Sequence, residues 1–444
     1  MLKEKVEGWS LEKKDMKNLI LLASPIILSN FLQNLYNLAD SYYMGKVGGV
    51  ELATSSFTSP ITQMIVGIGS GFAVGGGVII SQLVGKKDKK EILKTNSQLL
   101  SINILVSLFI TILSFIFCEK ILKFSGADGE LLEKSSLYIK FIFLTIPMTF
   151  LVSTYITIKN SKGKSMSPLY LIAFSTILNI FLNSLFINKF KLGLYGIGFA
   201  TLIANVILGG YCTYELYLKR EISLEFLKIK KDIFYRILKL GIPSSLTTIT
   251  NSLSFIIINI FVVKYGTEVL AAYGVGNRIN NIIYVLINGI GTAVAILVGQ
   301  NVGARNIKKA KDILKTGIVC GLFVGMVSMI VLFLILNPVI DIFTEDIEIK
   351  NHSINYLKIM LISVIPWAIF QPLAAVFQGT GHTKFGMYCH FGRVWIFRVP
   401  FILILENLLV LYEFSIWYSM LFSNLFALVF SFVLYKRVDW EKKV

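Results

Sequence analysis

The chain has 444 residues, of which 55% are hydrophobic and 16% charged, with a mean hydropathy of +0.70. So little charge over such a length excludes a water-soluble globular protein, whose surface would need about a quarter of its residues charged. The net charge of +17 does not point to nucleic acid, because Lys and Arg lie in short clusters between apolar runs, the pattern that orients loops across a bilayer.

The first seventeen residues are polar and amphipathic, and residues 1–17 are expected to form a cytoplasmic segment. The apolar run after them is too long for a signal-peptide core and lacks a small-x-small cleavage site, so it reads as the first membrane helix. Apolar runs then fall at roughly 18–44, 54–84, 95–117, 136–158, 167–188, 194–218, 238–263, 273–300, 317–338, 355–379, 387–410 and 414–435. Each approaches or exceeds the roughly 20 residues that cross the hydrocarbon core. The expected fold is an all-α integral membrane protein of twelve helices. The expected organisation is a six-helix bundle over 18–218, a basic cytoplasmic linker over 219–236 lying along the membrane surface, a second bundle over 237–436, and a tail over 437–444.

Orientation follows from the basic residues. With the N-terminus inside, the cytoplasmic segments hold thirty Lys and Arg and the opposite loops eight. Both termini are therefore expected in the cytoplasm. The two halves also repeat. At an offset of 218, Pro25 corresponds to Pro243, Gly48 to Gly266, Gly71 to Gly289, Gln82 to Gln300 and Gly85 to Gly303. A six-helix unit enters the membrane from the same side in both copies, which predicts two pseudo-symmetric bundles related by an axis along the membrane normal. A carrier uses such a plan to expose one site to each side in turn, whereas a membrane-embedded enzyme has no need of it. No enzymatic activity is expected.

Asp40 lies in the first run, beyond Gln33, Asn34, Tyr36 and Asn37. A carboxylate facing lipid there would cost several kcal/mol, so either it points into the bundle or it sits at the outer end of the helix. Asn179 and Asn183 are four residues apart on the fifth helix and share a face, as interhelical hydrogen-bond partners often do. Pro25 removes one backbone hydrogen bond from the first helix. The glycine run in GSGFAVGGG lies within a membrane helix, without a Walker lysine or a preceding strand, and reads as close helix packing. Arg393 and Arg398 read as charges near enough to the cytoplasmic end to snorkel. For Arg278, an acid or carbonyls across the cleft could serve as partner, and the sequence names none. Single Cys and His residues give no metal-ligand spacing.

Taken together, several stretches are similar to the multidrug and toxin extrusion (MATE) family, near its bacterial DinF-like and MepA-like branches. They are NLYNLADSYYMGKVGGVELA (34–53), GSGFAVGGGVIISQLVG (69–85), KLGIP (239–243), LAAYGVGNRI (270–279), VGQNVGA (298–304) and QGTGHT (378–383). The resemblance covers nearly the whole chain in order. It implies secondary active efflux by alternating access, driven by inward flow of H+ or Na+, in a bacterial plasma membrane. It carries the embedded acid of the family's first bundle onto Asp40 and its neighbouring amide onto Asn179. The position matching Asn183 is often an acid in the family but is an amide here, and Thr201 matches another polar member. With Asp40 as the cluster's one formal charge, the balance leans to protons, although Na+ could still use the amide and hydroxyl oxygens. Gln33, Asn34, Tyr36 and Asn37 are the expected substrate-cavity residues, and bending at Pro25 is expected to accompany protonation. Acids that some members carry in the seventh and tenth helices are replaced here by Asn251 and Trp367.

The expected partners are amphipathic, often cationic small molecules and membrane lipids, with no nucleic acid and no cofactor beyond the coupling ion, and the protein is expected to act as a monomer. Aromatics such as Phe31, Tyr42, Phe72, Tyr155, Tyr273 and Tyr284 could stack on flat cations. A lipid-linked saccharide flippase of the same superfamily is the alternative. It would need a strongly cationic cavity, and charged residues within the spans are few.

Overall fold

The computed structural model describes residues 12–409 and 411–441. The first eleven residues of the expected N-terminal segment, and Lys442 and Lys443 of the tail, lie outside the described residues. Twelve helices are long and apolar enough to cross a membrane. They are α1 Lys13–Val47, α2 Gly49–Lys86, α3 Lys89–Phe124, α4 Gly129–Ser161, α5 Met166–Lys189, α6 Gly193–Leu218, α7 Lys231–Tyr265, α8 Thr267–Gly303, α9 Ile307–Leu334, α10 Ile347–Gly379, α11 Thr383–Asn407 and α12 Phe414–Tyr435. No strand occurs among the described residues. In lipid the backbone must satisfy its own hydrogen bonds, which is why every apolar run resolves as helix. Several helices extend past their apolar runs and are capped by side chains. Asp88 accepts from the Glu91 N–H, Asn306 from Lys309, and Asp346 from Glu348 and Ile349.

The chain forms two compact units. One is Leu28–Ser252, and the other joins the described residues up to Ile27 to those from Leu253 onward. The boundaries thus cut through α1 and α7. The start of α1 packs with the later helices through Leu19, Leu22, Ala23 and Ile26, in one core with Ile283, Ile287 and Ile290 of α8. The start of α7 packs within the first unit against α2. A Cβ on Gly71 would sit 2.3 Å from the Ser245 backbone nitrogen, and one on Gly75 would sit 2.7 Å from that of Gly241. The glycine run is therefore a helix-contact surface, and the Ser245 hydroxyl also donates to the Ile68 carbonyl at 3.0 Å.

The internal repeat is visible in the packing of each unit. In the first, α4 packs on α2, α3 and α6, and α2 packs on α3. In the second, α10 packs on α8, α9 and α12, and α8 packs on α9. Helices at equivalent places in the two sequence halves make equivalent contacts.

The connection between α6 and α7 is tied to the start of α3 by side chains that read its backbone. Asn96 donates to the Glu221 carbonyl at 2.8 Å, Ser97 accepts from the Ser223 N–H at 2.9 Å, and Ser101 donates to the Leu227 carbonyl at 2.8 Å. Gln98 donates to the Lys228 carbonyl at 2.7 Å and accepts from the Lys230 N–H at 2.8 Å. These polar side chains explain why an otherwise irregular segment has one defined path.

Candidate functional site

Three helices of the first unit bring Asp40, Asn179, Asn183 and Thr201 into one cluster. Asp40 ends the apolar part of α1 with only 7% of its surface exposed, so its carboxylate faces the bundle rather than lipid or water. Asn179 and Asn183 lie one turn apart on α5 and are fully buried. The Asn183 side-chain amide donates to Asp40 Oδ1 at 2.7 Å and to Asn179 Oδ1 at 3.1 Å. From α6, the Thr201 hydroxyl donates to Asp40 Oδ2 at 3.4 Å. Neutral dipoles thus surround the charge, and no cation pairs with it among the described residues.

The cluster has further members that the sequence does not single out. Asn205, one turn beyond Thr201, donates to the Thr201 carbonyl at 2.8 Å, and Thr149 of α4 reaches Asn205 Oδ1 at 3.5 Å. Tyr138 of α4 is buried beside Asp40. Tyr36 lies one turn before Asp40 on α1, and its buried hydroxyl makes no hydrogen bond among the described residues. Asn183 Oδ1 and Asn179 Nδ2 are likewise buried without a partner. A cation arriving here would meet the carboxylate, the Asn183 amide oxygen and the Tyr36 and Thr201 hydroxyls. Those are hard oxygen donors, suited to a proton relay or to an alkali ion.

Gln33, Asn34 and Asn37 are exposed and lie outside the packed cluster. Pro25 sits inside the continuous helix α1, on the stretch that belongs to the second unit. Tyr155 and Tyr273 are fully buried and offer no ring face to a flat cation. Tyr155 instead donates its hydroxyl to Glu215 at 2.6 Å.

Lys159 is 1% exposed at the end of α4, where it pairs with Glu215 at 3.0 Å and Glu221 at 3.1 Å. Lys162 adds a contact to Glu221 at 3.5 Å, and burial pulls this lysine below its usual range while the carboxylate opposes that pull. Arg393 and Arg398 do not snorkel. They are 7% and 4% exposed and turn into the second unit. The reason is local: residues 392–398 of α11 form a π-helical segment, which rotates both side chains inward. Arg278 is exposed, and no acid pairs with it among the described residues.

Comparison with known proteins gives a consistent picture. The family model MatE matches residues 25–185 and 243–404, one match in each half. The chain is 27% identical over 443 residues to the probable multidrug resistance protein YoeA of Bacillus subtilis (strain 168), covering 96% of this chain and 94% of that protein. It is 26% identical over 372 residues to the multidrug export protein MepA of Staphylococcus saprophyticus, covering 83% and 82%. Among solved structures, the outward-facing conformation of a multidrug resistance MATE family transporter superposes with a TM-score of 0.91. That match has 23% identity and covers 97% of each chain.

Proposed function

Because the chain belongs to the MatE family, a family of multidrug efflux transporters, and is a multi-pass membrane protein, we propose that it exports amphipathic small molecules in exchange for a cation bound at Asp40. The observation that carries this reading is the buried carboxylate of Asp40, held by Asn183 and Thr201 with no positive partner among the described residues. A buried charge met only by dipoles is poised to take up a positive ion, since the ion removes the charge that burial disfavours. Asn179 positions Asn183, and Asn183 positions the carboxylate.

In this mechanism the cation enters from outside and neutralises Asp40. The first unit then repacks around a neutral cluster and loses affinity for substrate on the outer face. Linkage requires the reverse as well: bound substrate disfavours the cation to the same extent. Pro25 leaves one carbonyl of α1 without its usual partner and gives that helix a place to bend. Gln33, Asn34 and Asn37, exposed on the same helix, supply polar contacts for cargo. With a single carboxylate and no second acid at Asn183, the ion is a proton. The protein works as a monomer in a bacterial plasma membrane with both termini in the cytoplasm.

The test is transport in proteoliposomes under imposed proton or sodium gradients, comparing the wild type with Asp40→Asn. The wild type should export under the proton gradient and the variant should lose nearly all of that flux. Export by the variant at the wild-type rate under either gradient would remove Asp40 from the mechanism, and a sodium-only dependence would replace the proton.

A further inference from the structure

The connection between α6 and α7 belongs to the first unit, and the charges around it divide into two layers. The inner layer is closed. Glu215 and Glu221 are buried, and together they hold Lys159, Lys162 and Lys219. The outer layer is open. Arg220, Lys228, Lys230, Lys231, Arg236 and Lys239 are all exposed, and none of them forms an ion pair among the described residues. Over 219–239 only Glu225 and Asp232 are exposed acids, because Glu221 is turned inward. The fold thus compensates the charges beneath the surface and leaves those on it unneutralised.

The outer charges are also held in place. Asn96, Ser97, Gln98 and Ser101 of α3 bond to backbone groups of the connection from Glu221 to Lys230. Gln98 alone takes the Lys228 carbonyl and the Lys230 N–H, while both lysine side chains stay exposed. A segment already tethered through its backbone gives up little further conformational entropy when its side chains meet a partner.

The flanking helices indicate which partner fits. On α6 an exposed stripe runs through Ile207, Tyr211, Tyr214 and Leu218, spaced as one helical face. At the start of α7, Ile233, Ile237 and Leu240 are buried. Lys231, Tyr235, Lys239, Ile242 and Leu246 share the opposite, exposed face. Along α7 that face passes from charge, through a tyrosine, to bare aliphatic side chains. The change from Lys239 to Ile242 takes about 4.5 Å of helix, as at a boundary between headgroups and hydrocarbon. Tyrosines concentrate at that depth, and a lysine there lays its stem along the hydrocarbon with its ammonium among phosphates. A nucleic acid or a soluble acidic protein would leave Ile242 and Leu246 uncovered, whereas a phospholipid covers both. A zwitterionic headgroup would bring another ammonium to cations that lack counter-charges, and an anionic headgroup would not.

We propose that the face built by the end of α6, the connection and the start of α7 binds anionic phospholipids. Lys231, Tyr235 and Lys239 meet the headgroup, and Ile242 and Leu246 meet an acyl chain. The inference uses the membrane-spanning fold and not the efflux reading, so either can fail alone.

The experiment is native mass spectrometry of the full-length protein in detergent with equimolar phosphatidylglycerol and phosphatidylcholine of identical acyl chains. The wild type should retain phosphatidylglycerol over phosphatidylcholine by about tenfold. Lys231→Gln combined with Lys239→Gln should remove most of that preference. Arg305→Gln combined with Lys308→Gln takes the same charge from exposed positions between α8 and α9 and should leave most of it. Equal retention of the two lipids by the wild type overturns the proposal. So does an equal loss in the two double variants, which would make the attraction a property of net charge. Displacement of the lipid by millimolar inorganic phosphate also overturns it, as the mark of a site for free anions. If a variant does not fold, a phosphatidylglycerol with a photoreactive acyl chain decides on the wild type. It should label α7 between Tyr235 and Leu246, and labelling confined to other segments would place the lipid elsewhere.

Discussion

Asp40 in the first unit and Arg398 in the second carry opposite charges in similar surroundings. Asn183 and Thr201 face the carboxylate, while Asn424, Ser423 and Ser254 face the guanidinium. In both, an amide held by a further polar side chain does the aiming: Asn179 for one and Ser363 for the other. Lys159 shows the contrasting solution, with two carboxylates in direct contact. A charge met by a full counter-charge forms a fixed clamp, because separating the pair in a low-dielectric interior is expensive. A charge met only by dipoles keeps most of its field for a mobile ion. The comparison thus separates charges clamped by an ion pair from charges held by dipoles.

Three substitutions would break or sharpen that distinction. Lys159→Met should cost about 3 kcal/mol, because Glu215 and Glu221 are left buried with weaker compensation. Unfolding of the detergent-purified protein measures it, and a loss below about 1 kcal/mol would mean that the pair is no clamp. Asn183→Ala should cost about 1.5–3 kcal/mol, the range for a hydrogen bond to a charged group. Repeated in an Asp40→Asn background, the cost should fall toward that of a neutral bond, about 0.5–1.5 kcal/mol. An equal cost in both backgrounds would show that Asn183 serves packing rather than the charge. Ser423→Ala should have the smallest effect, about 1 kcal/mol, since Arg398 keeps Ser254 and Asn424. A much larger loss would make Ser423 the main anchor of the guanidinium.

The twelve spans were legible from apolar run length, and the repeat from residues at a constant offset. Within their own units, α4 and α10 make equivalent contacts, as the repeat leads one to expect. Within the first unit, a carboxylate in an apolar run and two amides one turn apart already implied a shared interior face. Family resemblance then tied Thr201 to the same place. Arg393 and Arg398 were misread for an identifiable reason. Hydropathy assumes uniform α-helix and places both within reach of the membrane edge, whereas a π-helical segment turns them inward. The burial of Lys159 was not legible, because a lysine at a span boundary looks like any loop lysine until Glu215 and Glu221 fold onto it.

By itself the sequence determined where the chain crosses the membrane, that it does so in two like halves, and that Asp40 needs polar company. Only the tertiary structure decided which company each buried charge keeps. Asn183 reaches Asp40 across 143 residues, Thr201 across 161, and Ser254 reaches Arg398 across 144. Periodicity is a local property of a helix and reports which face is apolar. The partner of a charge is set by which helices pack side by side and how each is rotated, and no pattern within a single span records that.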